Sequence, residues 1–105
     1  MNEIYFTIAG MNHYYGGDFL EKGMKVKLVK EPDNEYDSEA IRVELKGLGK
    51  IGYVANSPHT VIGESYSAGR IYDFIGKKAK GKVTLVTERG ILCKICHSAL
   101  TEAEA

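Results

Sequence analysis

Hydrophobic and polar residues alternate along most of this chain, with the period of two that is typical of a half-buried β-strand. In the run IYFTIA, residues 4–9, the side chains of Ile4, Phe6 and Ile8 share one face. Further strand-like runs are MKVKLVK (24–30), AIRVEL (40–45), KIGYV (50–54), KVTLVT (82–87) and ILCKIC (91–96). The pattern predicts an all-β fold, and Val29, which breaks the alternation of its run, indicates a β-bulge.

Glycine-containing turns join several of these runs and predict how they pair. KGLGK, residues 46–50, and ERG, residues 88–90, each connect two strand-like runs, which is typical of β-hairpins. The 12 glycines also suit a small barrel, whose strands bend sharply at its corners. Five to seven short strands therefore predict a small antiparallel β-barrel of the OB-like or SH3-like kind.

One segment, residues 57–68, is predicted to form a short helix. Ser57 is a suitable N-cap, Pro58 is favoured at the first helical position, and Gly69 supplies a C-terminal stop. The next run, RIYDFI at residues 70–75, is a weaker strand candidate.

The length and composition describe one ordinary globular domain. The chain has 105 residues, of which 44% are hydrophobic and 27% charged, and a chain of this size buries about two-thirds of its unfolded surface. We expect a single domain over residues 1–98 and a flexible polar tail over residues 99–105. No apolar run approaches a membrane span and the N-terminus lacks a basic region, so we expect a cytoplasmic protein without membrane association.

The charges balance, with 14 basic and 14 acidic residues. This balance argues against a protein that binds long double-stranded nucleic acid through a broadly basic surface, so any nucleic-acid contact has to be local. The Lys-rich run KKAKGK, residues 77–82, is the one basic cluster of note, and we interpret it as the solvated start of a strand.

The run CKICH, residues 93–97, matches patterns for haem attachment, redox chemistry and zinc binding. A second pair of zinc ligands at the usual spacing is missing. An offset of three residues along a strand places Cys93 and Cys96 on opposite faces, which predicts that Cys93 is a small core residue. Cys93, Cys96 and His97 become metal candidates only if they lie on a turn, and we expect no cofactor.

Two segments carry candidate binding chemistry. GMNHYYGGDF, residues 10–19, is a glycine-rich loop in which His13, Tyr14 and Tyr15 place three flat rings beside the glycines, and these rings either cover the end of the barrel or stack on bases. EPDNEYDSE, residues 31–39, here called the acidic link, has five carboxylates around one Tyr. Turn formation explains Pro32 and Asn34, but it leaves several acids without a role. No calcium-loop pattern or catalytic triad spacing is present, so we expect no enzymatic activity.

A resemblance to a known family becomes specific at these residues. Gly10 with its aromatic loop, then VKLVKEPDNEYDSEAIRV, residues 26–43, and then KIGYV strongly resemble the HIRAN domain. The similarity extends over residues 6–95, nearly the whole chain. HIRAN modules occur fused to helicase-like DNA remodelers and as small bacterial proteins, and their fold is an OB-like β-barrel.

The resemblance implies binding of single-stranded DNA at a free 3′ end. Carried over by position, Asp37 accepts a hydrogen bond from the terminal 3′-hydroxyl, Tyr36 stacks on a terminal base, and a ring from His13 or Tyr14 lies on the other side. The nucleic-acid-binding residues implied in this way are Asn12, His13, Tyr14, Asn34, Tyr36, Asp37 and Tyr53. A helicase or nuclease is a further possible protein partner.

The sequence also departs from the remodeler-fused pattern. An Arg of that pattern is replaced by Asn12 or His13, and the usual Pro between Asn34 and Tyr36 is Glu35 here. Each change weakens the attraction of phosphate, which leaves a second interpretation open: a protein-interaction module, or adaptor, that kept the fold without DNA binding. A zinc-binding role, or a role as accessory to a hydrolase acting on acid anhydrides, is a third alternative.

Overall fold

A closed barrel of six antiparallel strands forms the body of the protein in a computed structural model. The structure describes residues 3–10, 19–57, 59–63, 65–88 and 90–96. Within those ranges the strands are β1 Tyr5–Ala9, β2 Lys25–Lys30, β3 Ile41–Leu45, β4 Gly49–Val54, β5 Lys78–Thr87 and β6 Gly90–Ile95. Their order around the barrel is β1-β4-β3-β2-β5-β6, and β6 closes on β1. The predicted all-β barrel is therefore confirmed.

The barrel interior is filled by the alternate apolar residues of the strands. Phe6, Ile8, Leu28, Val43 and Ile51 are fully buried in one continuous cluster. Their polar sequence neighbours lie on the outer face, as the period of two predicts. Both predicted hairpins are also present, since β3 pairs with β4 and β5 pairs with β6.

The predicted bulge at Val29 is wrong. Strand β2 keeps an unbroken register with both β3 and β5, and the irregularities fall instead in the β3–β4 and β5–β6 ladders. Val29 lies on the outer side of β2 and is nevertheless buried, outside the main core cluster. An apolar residue at an outward position is therefore no sign of a shift in the alternation of β2.

The short helix is present but begins where the predicted one ends. Helix α1 spans Ala68–Ile71 and continues into a 3₁₀ helix, Tyr72–Phe74, so the predicted strand at residues 70–75 is wrong. Ser67 caps α1 by accepting a hydrogen bond from the backbone amide of Arg70. No helix of the described ranges is long and apolar enough to cross a membrane.

Strand β1 explains why residues 57–67 do not form the predicted helix. Ser57 does close one turn, because its carbonyl oxygen accepts from the amide of Val61. Beyond that turn the amide of Ile62 donates to Oγ1 of Thr7, at 3.1 Å, and the amide of Tyr66 donates to the carbonyl of Tyr5, at 2.7 Å. These bonds to the outer side of the barrel replace the bonds of a continuing helix.

Candidate functional site

An open cleft lies where the acidic link meets the ends of β1 and β4. Its volume is about 590 Å³. It is lined by Ala9, Gly10, Asn34, Tyr36, Asp37, Ala40, Tyr53, Val54, Ala55, Asn56, Ser57 and Thr60. The floor is mostly apolar and the polar groups come from the link and from the residues that follow β4, an arrangement that is typical of ligand sites.

Asn34 gives the acidic link its shape. Its side-chain oxygen accepts hydrogen bonds from the backbone amides of Tyr36 and Asp37, at 2.9 and 3.0 Å, and its side-chain nitrogen donates to Glu31 Oε1 at 3.0 Å. This is the Asx-type turn that Asn favours, because its short side chain reaches backbone two and three residues ahead. Asn34 thus positions the two residues that follow it.

The Asp37 carboxylate is held in place from two sides. Oδ1 accepts from the backbone amide of Glu39, and Oδ2 accepts from Nδ2 of Asn56, both at 2.9 Å. Asn56 is fixed in turn, since its Oδ1 accepts from the amide of Gly69 in α1 at 2.8 Å. An ionised carboxylate has about four lone-pair positions, so Asp37 retains the capacity to accept from a ligand.

Tyr36 projects from the rim of the cleft into solvent. The residue is 89% exposed, the highest value among the exposed large hydrophobic residues of the described ranges. Burying an aromatic ring is strongly favourable, so packing within this domain does not explain a ring held in water. The ring is available to stack on a flat partner.

Glu31 and Tyr53 join the acidic link to the barrel wall. Glu31 Oε1 accepts from the Tyr53 hydroxyl at 2.9 Å, and that hydroxyl accepts from Lys50 Nζ at 2.9 Å. The other Glu31 oxygen is 3.4 Å from Arg42 Nη1. Glu31 is therefore one acid of the link whose charge is balanced by the barrel itself.

The surroundings of these two groups shift their proton affinities in opposite directions. Partial burial raises the pKa of Glu31, but hydrogen bonds from Asn34 and Tyr53 and the charge of Lys50 outweigh it, so the net shift is downward. Burial, together with the neighbouring Glu31 carboxylate, raises the pKa of the Tyr53 hydroxyl despite the hydrogen bond from Lys50. At neutral pH the pair is thus a carboxylate that accepts from a neutral phenol.

Four of the seven predicted binding residues line this one cleft, namely Asn34, Tyr36, Asp37 and Tyr53. The other three, Asn12, His13 and Tyr14, lie outside the described residues. Sequence reasoning missed Asn56, Ser57 and Thr60, which also line the cleft. The only signal for them was their place directly after the GYV motif, where the chain leaves β4.

Cys93 lies where the strand pattern predicted. Cys93 is fully buried in the core, and burial raises the pKa of its thiol to about 12, whereas Cys96 is half-buried beyond the end of β6. His97 lies outside the described residues. Among the side chains that the structure describes, no three His, Cys, Asp or Glu residues come together as a metal site would require.

Solved structures share this architecture. The HIRAN domain of human HLTF aligns with a TM-score of 0.59 at 15% identity, covering 97% of this chain and 83% of its own. A protein from Lactobacillus plantarum aligns with a TM-score of 0.55 at 23% identity, covering 91% of this chain and 98% of its own. At such identities the likeness shows the fold alone. A comparison with curated protein sequences gave no match.

Sequence comparison with protein families is more specific. Residues 1–62 match the family described as HIRAN domain, and this stretch includes β1 to β4, the acidic link and every residue named above as lining the cleft. The match spans more than half of the chain, and the closed barrel agrees with it. The chain therefore belongs to the HIRAN domain family.

Proposed function

We propose that this chain is a non-enzymatic module that binds single-stranded DNA at a free 3′ end. Membership in the HIRAN domain family supports nucleic-acid binding in general. The observation that carries the finer proposal is the pairing, on one open cleft, of the exposed ring of Tyr36 with the fixed carboxylate of Asp37.

Tyr36 supplies affinity without demanding one sequence. A terminal base stacks on its exposed face, and base–aromatic stacking contributes about 1–3 kcal/mol per base. Every base has such a face, so this contact does not distinguish among them. The mostly apolar floor of the cleft then takes the edge of the sugar and base away from water.

Asp37 supplies the preference for an end. Its carboxylate accepts a hydrogen bond from the terminal 3′-hydroxyl, which is a donor. In the middle of a strand a phosphate occupies that position, and the two negative charges repel each other. Asn34 and Asn56 hold Asp37 in orientation, the first through its backbone amide and the second through its carboxylate, and Asn34, which lines the cleft, adds a further polar contact to the strand end.

A titration of short labelled single strands tests this function. Strands that end in a 3′-hydroxyl are expected to bind more tightly than strands with a 3′-phosphate. Asp37→Asn is expected to reduce this preference. Tyr36→Ala is expected to lower the affinity for both strands about tenfold or more, because the stacking contact is lost. Asp33→Asn is the matched control, because it removes one exposed carboxylate of the same link outside the cleft. Equal affinity for both ends in the unmodified protein contradicts the proposal.

The exposed acids of the link favour a second candidate. Asp33, Glu35 and Glu39 are all exposed around Tyr36, and their charges oppose a phosphate backbone. An adaptor that binds a basic protein segment, including one in a helicase or nuclease partner, would use the same ring with the acids as attraction. Binding of such a peptide together with no binding of either strand end favours this alternative.

A further inference from the structure

Lysines from separate parts of the sequence lie side by side on the outer face of β2 and β5. Lys25 pairs directly with Lys82, and Lys27 pairs directly with Lys80. All four side chains are exposed. Lys82 also pairs with Lys94 of β6, so three cations occupy one row across three strands.

A groove of about 490 Å³ adjoins these rows. It lies between β2, the β3–β4 turn and β5, and its lining includes Lys25, Lys27, Lys46 and Lys80. Its single carboxylate, Glu44, is paired with Arg42 Nε at 2.6 Å. The lysine face, defined as Lys25, Lys27, Lys46, Lys80 and Lys82, therefore presents a positive surface with a concave part.

No ion pair joins these cations to a carboxylate in the described part of the chain, although Lys27 stands opposite Glu44 in the β2–β3 ladder. The ion pairs found there use Arg42, Lys50 and Lys94 instead. Like charges directly opposite on neighbouring strands destabilise a sheet. Lysines also protect open sheet edges from aggregation, but β2 and β5 are paired on both sides, so that reason does not apply.

We propose that the lysine face binds the phosphate backbone of a nucleic-acid strand, at a site separate from the end-binding cleft. Surface lysines are point charges that contact phosphates without reading sequence. The face shares no lining residue with the cleft. The lysine face gives a protein of zero net charge a local site for polyanions. The proposal does not rest on the end preference assigned to Asp37.

A closed circular single strand distinguishes binding at the lysine face from binding at the cleft, because it carries phosphates but has no 3′ end. The unmodified protein is expected to bind this circle at low salt, with an affinity that falls steeply as salt rises. The triple variant Lys27→Gln, Lys80→Gln and Lys82→Gln is expected to lose about tenfold or more in affinity for the circle. The slope of log affinity against log salt concentration should become about 2 less steep, because each of the three lost phosphate contacts contributes roughly 0.7 on a single strand.

The matched control is Lys22→Gln, Arg70→Gln and Lys77→Gln, which removes the same charge from exposed residues outside the groove and the cleft. It is expected to keep most of the affinity and the slope. Thermal unfolding should show the first triple variant to be folded and no less stable, because cross-strand repulsion has been relieved. In both triple variants the ratio of the affinities for 3′-hydroxyl and 3′-phosphate strands should stay unchanged.

Three results overturn the proposal. These are no binding of the circle at low salt, the same affinity and slope in the two triple variants, and binding of poly-glutamate as tight as that of the circle, which would assign the face to acidic proteins. Loss of end preference in Asp37→Asn with normal binding of the circle leaves the lysine face supported. The failure of one site is thus distinguishable from the failure of the other.

Discussion

Glu31 shows how one residue of the acidic link serves the fold and the cleft together. Its carboxylate accepts from the side chains of Asn34 and Tyr53 and faces Arg42. Asn34 in turn shapes the backbone at Tyr36 and Asp37. A carboxylate at position 31 therefore stabilises the link in the conformation that presents the candidate binding residues.

The lowered pKa of Glu31 makes this contribution depend on pH. Because the pKa in the folded chain lies below its ordinary value of 4.5, the stabilisation is fully present above pH 4.5 and is lost as pH falls through the lowered pKa. Glu31→Gln is expected to reduce the free energy of unfolding at pH 7 by about 1–2 kcal/mol, from weakened charge-assisted hydrogen bonds. Urea denaturation at pH 7 and at pH 3 measures the difference, which should shrink at the lower pH.

Glu35→Gln serves as the control for this experiment, since Glu35 is an exposed acid of the same link. Its effect on the free energy of unfolding should be small at both pH values. An equal loss of stability in the two variants would show that the net charge of the link matters and the contacts of Glu31 do not.

At the scale of elements, β6 illustrates how alternation decides the chemistry of a motif. Ile91, Cys93 and Ile95 are buried in the core, whereas Cys96 follows the strand and is half-buried. A pair of cysteines three residues apart resembles a metal or redox motif on a turn, but on a strand the two sulfurs are directed to opposite sides. The sequence was sufficient to place Cys93 in the core, because the period of two is clear up to Ile95, where β6 ends.

Thiol labelling tests the placement of the two cysteines. In the folded protein at pH 8, Cys96 is expected to react with a thiol reagent and Cys93 to resist it, since Cys93 is buried and its pKa is about 12. Both should react in denaturant. Cys93→Ser should cost about 1–3 kcal/mol, from a hydroxyl placed in the apolar core, whereas Cys96→Ser should be nearly neutral. Rapid native labelling of Cys93 would contradict the assignment.

Elements with weak local patterns were the ones that sequence reasoning misplaced. The Ser57 turn and the following residues satisfy helix rules locally, yet Thr7 and Tyr5 of β1 take up the hydrogen bonds of that segment. Gly63 has a φ of +54°, a left-handed conformation that interrupts an α-helix and suits glycine. The nearest true helix instead forms where Ser67 provides a cap.

At the scale of the whole molecule, a net charge of zero conceals a segregation of charge. Carboxylates concentrate in the acidic link, while the lysine face occupies β2, β5 and the β3–β4 turn. The pairing of β2 with β5 creates this division, because it places residues 25 and 27 opposite residues 82 and 80. The repulsion within the lysine face is expected to lower the free energy of unfolding.

Reversing one charge of the lysine face measures this loss of stability. Lys82→Glu places a carboxylate between Lys25 and Lys94, and it is expected to raise the free energy of unfolding by about 0.5–1 kcal/mol at low salt. The gain should decrease at high salt, where surface charges are screened. Urea denaturation at two salt concentrations provides the measurement, with Lys22→Glu as a control for net charge. A loss of stability would show that Lys82 has a structural role.

The sequence by itself determined the six strands of the barrel, the barrel class, the core position of Cys93 and the turn-forming role of Asn34. These follow from local rules: side chains alternate along a strand, and Asn bonds to backbone a few residues ahead. Tertiary structure alone decided that Asn56 reaches Asp37, and that lysines more than 50 positions apart form one face. Such contacts depend on register and closure around the barrel, which no local pattern encodes.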